Sequence, residues 1–495
     1  MQLMYKSTRG SNELITSSEA IIKGIAEDGG LYIPVRIPKI DISLSEIMDF
    51  SYVQLANYIL KRFLTDFSEE EISECIYKAY SNNFDLEEVV QVCKAGDNFF
   101  LELYHGPTLA FKDMALSLLP HLLKTALNKH KITKEIVILT ATSGDTGKAA
   151  LEGFKNVEKT KIIVFYPDKG VSEIQKRQMD TQEGDNTYVT SIEGNFDDAQ
   201  NGVKKIFSDK QYKEFLEENN YILSSANSIN IGRLIPQIVY YFYAYLNLLK
   251  KKEIENNEQI NIVVPTGNFG NILAAYYAKE MGLPVNKFIC ASNENNVLSD
   301  FIKTGVYDKH REFKITASPS MDILVSSNLE RLNYYISGKD EKALSGFMEK
   351  LSLEGKYEIT EAMKVGLKDF YGGFATDEET YESIKEVYQK FHYVMDTHTA
   401  VAHSVYEKYK EDTEDNTKTI IVSTASPFKF TRDVCSSIGL ETEGFDDFEL
   451  INELSRNTGL KVPASIVDLQ NKRIVYKNVC NKESMKKVIN DFLKV

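Results

Sequence analysis

Lys112 lies in the run His105-Gly106-Pro107-Thr108-Leu109-Ala110-Phe111-Lys112-Asp113-Met114-Ala115, between a Gly-Pro turn and an apolar stretch over 114–119 that reads as helix. Apolar and aromatic neighbours place this lysine for burial. Burial disfavours the ammonium form, lowers the pKa and leaves an amine that can attack a carbonyl and afterwards act as a base. That is the chemistry of a Schiff-base lysine. Two polar, glycine-bearing loops add a second kind of chemistry. Glu135-Ile136-Val137-Ile138-Leu139-Thr140 reads as a buried strand, followed by Ala141-Thr142-Ser143-Gly144-Asp145-Thr146-Gly147 and a helix from Lys148. Ile260-Asn261-Ile262-Val263-Val264 likewise runs through Pro265-Thr266-Gly267-Asn268-Phe269-Gly270-Asn271 into a helix from Ile272. A helix N-terminus offers unpaired N–H groups and a positive dipole end, and glycine lets an anion approach that backbone closely. Each loop is a candidate anion seat, most simply for a phosphate.

Spacing excludes two familiar phosphate loops. A Walker A loop needs Gly where Thr142 stands and Ser or Thr where Ala149 stands. Gly144 and Gly147 form only G-x-x-G, short of the dinucleotide fingerprint. Asp168, at the end of the next strand, still imitates the ribose-binding acid of a nucleotide fold and keeps a nicotinamide oxidoreductase as an alternative.

The elements that must position these loops alternate. From about Asn98 to Tyr221, strands such as Ile162-Ile163-Val164-Phe165-Tyr166 and Thr187-Tyr188-Val189-Thr190 are each followed by a helical pattern. The same style resumes at Ile260 and ends with a strand over 419–424. Such alternation predicts a parallel sheet covered by helices. Residues before about Val92 read as mostly helical, with Ser68-Glu69-Glu70-Glu71 as a capping box and Phe67 and Ile72 as its hydrophobic staple. Polar links lie at 251–258 and 411–418. The run Tyr240-Tyr241-Phe242-Tyr243-Ala244-Tyr245-Leu246 falls well short of the roughly 20 apolar residues of a membrane span and reads as a packed helix. With 495 residues, 43% of them hydrophobic, the chain holds about three domains' worth of core. A net charge of -14 leaves no basic field to draw nucleic acid or an anionic membrane. Cys75, Cys93, Cys290, Cys435 and Cys480 are odd in number and form no C-x-x-C pair, which argues against a disulfide framework or a zinc site. No metal is expected. Because Met1-Gln2-Leu3-Met4-Tyr5-Lys6 also lacks an apolar signal core, a cytoplasmic protein is expected.

The lysine run, Ser143-Gly144-Asp145-Thr146-Gly147, Ser225-Ala226-Asn227-Ser228-Ile229-Asn230, Thr266-Gly267-Asn268-Phe269-Gly270-Asn271 and Ser423-Thr424-Ala425-Ser426-Pro427 together resemble the threonine synthase family, in its longer fungal and enterobacterial-like branch. The resemblance extends to Gly29-Gly30-Leu31-Tyr32-Ile33-Pro34 and to Pro319-Ser320-Met321-Asp322-Ile323-Leu324-Val325-Ser326-Ser327-Asn328-Leu329-Glu330-Arg331, with the motifs in the family's order over nearly the whole chain. It implies an α/β, two-domain fold-type II pyridoxal-phosphate enzyme of the tryptophan synthase β kind. The expected division is an N-terminal extension over 1–92, an α/β domain over 93–221 bearing the lysine, and a large α/β domain over 222–495 with a helical insertion at about 326–391.

The same resemblance implies that Lys112 carries pyridoxal 5'-phosphate, and that Gly267, Asn268, Phe269, Gly270 and Asn271 seat the cofactor's phosphate. Thr424 matches the position facing the pyridine nitrogen, where a hydroxyl moderates the electron sink. Asp145 stands beside the cofactor's 3′-oxygen, where many relatives carry Asn. An ionised carboxylate would repel that oxygen, so a shared proton or a rotated side chain is expected. The substrate end is expected between Ser143, Thr146, Ser225, Asn227 and Ser228, with Arg233 and Lys429 as cationic candidates for a phosphate or carboxylate and Lys148 as a poorer one. His398, in a run that usually has Pro where Thr397 stands, either orients groups near the cofactor or is a hydrogen-bonded core histidine. The implied reaction turns O-phospho-L-homoserine and water into L-threonine and phosphate, in a monomer or homodimer. A fold-type II serine/threonine dehydratase, a cysteine-synthase-like enzyme and a binding protein that keeps the cofactor without turnover are the other readings.

Overall fold

The computed structural model describes every residue except 1, 12, 143, 169, 170, 195 and 468. Among the described residues, strand pairing makes two main sheets. The larger has six strands in the order Phe370–Phe374, Val285–Ser292, Ile260–Pro265, Thr419–Ser423, Asn98–Glu102, Gln91–Ala95. All its neighbours are parallel except the last pair, which is an antiparallel hairpin at the edge. The smaller has five parallel strands in the order Val479–Cys480, Thr187–Ile192, Thr160–Pro167, Glu135–Ala141, Tyr221–Ser224. Strands such as 136–139, 162–165 and 262–264 are buried on both faces, which is why they are unbroken runs of Ile, Val, Leu and Phe rather than alternating sequences.

The strands fall where the apolar β-branched runs place them, each within one or two residues. The two glycine loops are shorter than expected, because their helices open earlier, as Asp145–Phe154 and Gly270–Met281. Polar and glycine residues in a first turn read as loop in sequence, yet they already carry helical backbone. The stretch 326–391 holds the helices Leu329–Ile336, Glu341–Leu353, Glu361–Gly366 and Asp377–Phe391, but also Phe370–Phe374, which is the edge strand of the large sheet.

Strand pairing also cuts across the expected segments. Gln91–Ala95 and Asn98–Glu102 join the six-stranded sheet, so the chain enters that sheet first, passes through the Lys112 loop, and then builds the five-stranded one. At the other end Val479–Cys480 returns to the small sheet, and Met485, Ile489 and Leu493 pack into its core with Val137, Leu139, Ile163 and Phe165. The small sheet is thus completed by residues from far down the chain. The helix Gln237–Lys250 is buried on nearly all sides, as its continuous aromatic run requires, and no helix among the described residues is long and apolar enough to cross a membrane.

The N-terminal segment shares its apolar core with the helices Leu119–Lys129 and Gln237–Lys250, and polar contacts tie it further. Its capping box forms as expected, with Ser68 Oγ accepting from the Glu71 N–H and Glu71 Oε2 accepting from the Ser68 N–H. Asn230 Nδ2 donates to Ile21 O at 3.0 Å. The fully buried Arg331 donates Nε to Tyr32 O at 3.0 Å, Nη2 to Ile229 O at 2.6 Å, and Nη1 to Asn328 Oδ1. One guanidinium therefore ties the N-terminal segment, the 225–230 loop and the residue that braces the second glycine loop. Arg331→Leu should strand two buried carbonyls and lower stability by on the order of 3 kcal/mol. Urea unfolding measures this, and an unchanged midpoint would show that the guanidinium is not a structural tie.

Candidate active site

The loops that could do chemistry all leave the C-terminal ends of parallel strands, where ligands bind in open α/β sheets. The loop after Asn98–Glu102 carries Lys112, and it lies on the loop after Thr419–Ser423. Leu103 N–H donates to Ser423 O, Phe111 N–H to Thr424 O at 2.8 Å, and Ser426 N–H to Leu109 O at 3.0 Å. Within the loop, Asp113 accepts from the Thr108 N–H at 2.8 Å and the Thr108 hydroxyl at 2.5 Å, while burial pushes its pKa up to about 6. These bonds present Lys112 at the start of the short helix Asp113–Leu116.

Lys112 is 9% exposed. Its Nζ donates to Ser320 Oγ at 3.0 Å and lies 3.5 Å from Asp145 Oδ2. Burial depresses its pKa; Asp145 works the other way, and the cations Lys429 and Arg233 add to the depression. The downward shift expected from the apolar neighbours thus has further causes in the surrounding cations.

Asp145, at the first turn of its helix, is 3% exposed. Lys429 Nζ lies 2.6 Å from its Oδ1, Gln175 Nε2 donates to the same oxygen at 2.9 Å, and Ser320 Oγ contacts Oδ2 at 3.1 Å. Burial alone would raise the carboxyl's pKa, but Lys429 and Lys112 outweigh it and hold the group well below the usual carboxylate range. The carboxylate therefore has its own buried counter-ion in Lys429. Lys429 is placed accordingly. Its side chain is completely buried between Asp145 and the Thr108 carbonyl, which accepts at 2.9 Å, so it is not free to meet a substrate phosphate.

The glycine loop carries the geometry of an anion seat. Phe269 adopts a left-handed conformation at φ 61° and turns the chain into the helix Gly270–Met281, whose first-turn N–H groups have no acceptor within the helix. Ser326 Oγ donates to Gly267 O at 2.7 Å, and Asn328 Nδ2 donates to Asn268 O at 3.0 Å and to Ser228 Oγ at 3.2 Å. A Cβ at Gly270 would meet nothing closer than 3.5 Å, leaving room over the backbone. Asn271 differs from expectation in part. Its Oδ1 accepts from the Tyr240 and Tyr241 hydroxyls, whereas its buried Nδ2 has no partner.

Among the remaining expected residues, Thr424 is buried at the end of its strand, Thr146 is half-buried, and Ser143 lies outside the described residues. Ser225 Oγ accepts from the Asn227 N–H at 3.1 Å, while Asn227 and Ser228 are half-buried. Arg233 is 3% exposed, donates Nη1 to Ala226 O at 2.7 Å, leaves Nε without a partner, and has no carboxylate partner among the described residues. Burial lowers its pKa to about 10, so it stays charged at neutral pH. Lys148 pairs with Glu152 at 2.9 Å. Asp168 is partly exposed and lies 3.7 Å from Lys176, an arrangement of a surface ion pair rather than of a ribose-binding acid.

Ser320 and Gln175 were missed by the sequence reading. Ser320 stands in the run Pro319–Arg331, but a serine in a polar turn gives no chemical cue of its own. Gln175 was masked by a second use, since its Oε1 caps Ser172 while its amide reaches Asp145. The Ser320 N–H donates to His398 Nε2 at 3.2 Å, so that nitrogen holds the lone pair and Nδ1–H faces Asp396 Oδ2 at 2.9 Å. His398 thus orients the Ser320 turn. The turn is also held by Asp322, which accepts from Asn293, Asn295 and Thr316, and burial pushes that carboxyl up to about 6.

Residues 4–80 match the family model for the threonine synthase N terminus, 94–425 the pyridoxal-phosphate dependent enzyme model, and 399–489 the threonine synthase C-terminal model. The chain belongs to the threonine synthase family of pyridoxal-phosphate dependent enzymes. It is 35% identical to threonine synthase of Saccharomyces cerevisiae, covering 98% of both chains. It is 40% identical to human threonine synthase-like 1 over 86% of its own length, but spans only 58% of that longer protein. The structure of pyridoxal-phosphate-bound threonine synthase from Brucella melitensis superimposes with a TM-score of 0.87 at 34% identity, covering 100% of this chain and 99% of that one.

One contact tests how tightly the site is assembled. A Cβ at Gly267 would lie 2.7 Å from Ser320 O, backbone that can shift only at a cost. Gly267→Ala should push the 319–321 turn away from Lys112 and destabilise the protein by about 1–3 kcal/mol. Equal urea midpoints for variant and wild type would mean that the two loops are not in the close contact seen here.

Proposed function

We propose that this protein binds pyridoxal 5'-phosphate at Lys112 and converts O-phospho-L-homoserine and water to L-threonine and phosphate. The observation that carries the reading is a second buried cation, Arg233, separate from the glycine loop and without a carboxylate partner among the described residues. A dehydratase or cysteine-synthase-like enzyme needs one anion seat for the cofactor. A phosphorylated substrate needs another.

The residues present fit the cofactor. The open backbone at 267–271, the N-terminus of Gly270–Met281 and the unpaired Asn271 Nδ2 suit its phosphate, and Thr424 suits its ring nitrogen. When bound, pyridoxal phosphate supplies an electron sink for charge left on a substrate carbon. The chain supplies the rest. Lys112, with its ammonium form disfavoured by burial, can join a carbonyl and then remove and return protons at the substrate's α and β carbons. Ser320 and Asp145 hold its Nζ from one side. Arg233 keeps its charge without water around it, so it can bind the substrate phosphate and stabilise the charge that grows as the Cγ–O bond breaks. Thr146, Ser225, Asn227 and Ser228 offer further polar contacts at that end. Water then adds at the β carbon. Five free cysteines are consistent with the cytoplasmic location we propose.

Lys112→Ala should abolish activity and the borohydride-trapped cofactor adduct while the fold persists; a reduced cofactor mapped to any other lysine moves the site. Gly270→Asp fits the backbone but sets a negative charge over the loop. Affinity for pyridoxal phosphate should fall roughly tenfold or more, and an unchanged affinity would place the phosphate elsewhere. In Arg233→Met, phosphate release from O-phosphohomoserine should drop on the order of a hundredfold with the cofactor absorbance intact. Wild-type kinetics in that variant would remove Arg233 from the substrate site.

A further inference from the structure

Two charges of opposite sign stand in full burial next to the Lys112 amine. Asp145 and Lys429 are 2.6 Å apart, and neither side chain reaches solvent. Three neutral groups complete the shell, Gln175 Nε2 and Ser320 Oγ on the carboxylate and the Thr108 carbonyl on the ammonium. The other charged or titratable groups acting on this pair are Lys112 and His398 on Asp145, the latter presenting a lone pair at Nε2 to the Ser320 N–H, and the buried Asp113 on Lys429, while Arg233 acts on Lys112. A carboxylate alone in such a place would take Lys112 as its counter-ion and keep that amine protonated, and unreactive, to higher pH.

We propose that Lys429 is a positioning residue for the reaction, the dedicated counter-ion that neutralises Asp145 so that the carboxylate can orient the Lys112 nitrogen without holding it in its charged form. The inference rests on the reading that Lys112 carries the cofactor. The pair spans two loops, because Lys429 also holds the Thr108 carbonyl in the loop that bears Lys112. Lys429 therefore sets both the place of the lysine loop and the net charge beside it. A purely structural role would need only the first.

The test is a double-mutant cycle on the holoenzyme, with wild type, Lys429→Met, Asp145→Asn and the double variant. Two quantities are read, the melting temperature and the pH midpoint at which the visible absorbance of the lysine-bound cofactor changes. Removing the cation should move the midpoint up by about one pH unit or more, and removing the anion should move it down. Each single variant leaves one buried charge unpaired and should melt roughly 5 °C or more below wild type, whereas the double variant should recover most of that loss. Should Lys429→Met not fold, the midpoint of the double variant should return upward from that of Asp145→Asn toward the wild-type value, and a midpoint that stays down overturns the proposal. A double variant no better than Lys429→Met, or midpoints that do not move in opposite directions, overturns the proposal. Borohydride reduction and peptide mapping keep the two readings apart. Cofactor on Lys112 with an unmoved midpoint overturns the pair alone, and cofactor on another lysine overturns the site and the pair with it.

Discussion

Taking charge out of water governs this molecule. Lys112, Asp145, Arg233 and Lys429 are all buried, and each would be costly without a specific neighbour or a ligand to meet it. Asp145 is compensated by Lys429 and by two neutral hydrogen-bond partners. Arg233 has one backbone carbonyl and an unpaired Nε. The two ions thus differ in how far the protein itself satisfies them.

The sheets exist to bring these groups together. Lys112 comes from the crossing between the large sheet and the small one, Asp145 and Gln175 from helices on the small sheet, and Ser320, Lys429 and the 267–271 loop from the large one. Parallel strands point their C-terminal ends, and so their helix N-termini, toward one crevice. Strand 479–480 and helix Met485–Leu493 return to the small sheet and close it from the chain's end. The N-terminal segment is tied through Arg331 to the same loops that flank the glycine turn.

Position within the crevice depends on a second tier of polar residues. Ser320 reaches Lys112 because its turn is pinned by His398 from one side and by the Asp322 network from the other. Asn328 braces the carbonyl of Asn268 and the hydroxyl of Ser228, and is itself held by Arg331. Such chains of hydrogen bonds leave side chains few alternatives, which is what a reaction needing a nitrogen in one place requires.

Much of this was legible in the chain alone. Apolar β-branched runs locate the strands because strands buried on both faces admit little else. The Gly-Pro turn and apolar helix around Lys112 announce a buried amine, and strand, glycine loop and helix in succession announce an anion seat, because both signals are local. The sequence could not decide what the charged residues meet. Lys429 reads as a free cation, yet it is the partner of Asp145; Asp168 reads as a ribose ligand, yet it faces solvent beside Lys176. Ser320 and Gln175 carry no local signature, and Phe370–Phe374 hides among helices while forming the sheet's edge. Composition and spacing determine which groups a chain owns and which backbone each adopts. Only the tertiary structure decides which distant charges share a dry space, because the cost of burying an ion is set by its neighbours in three dimensions and not by its neighbours in sequence.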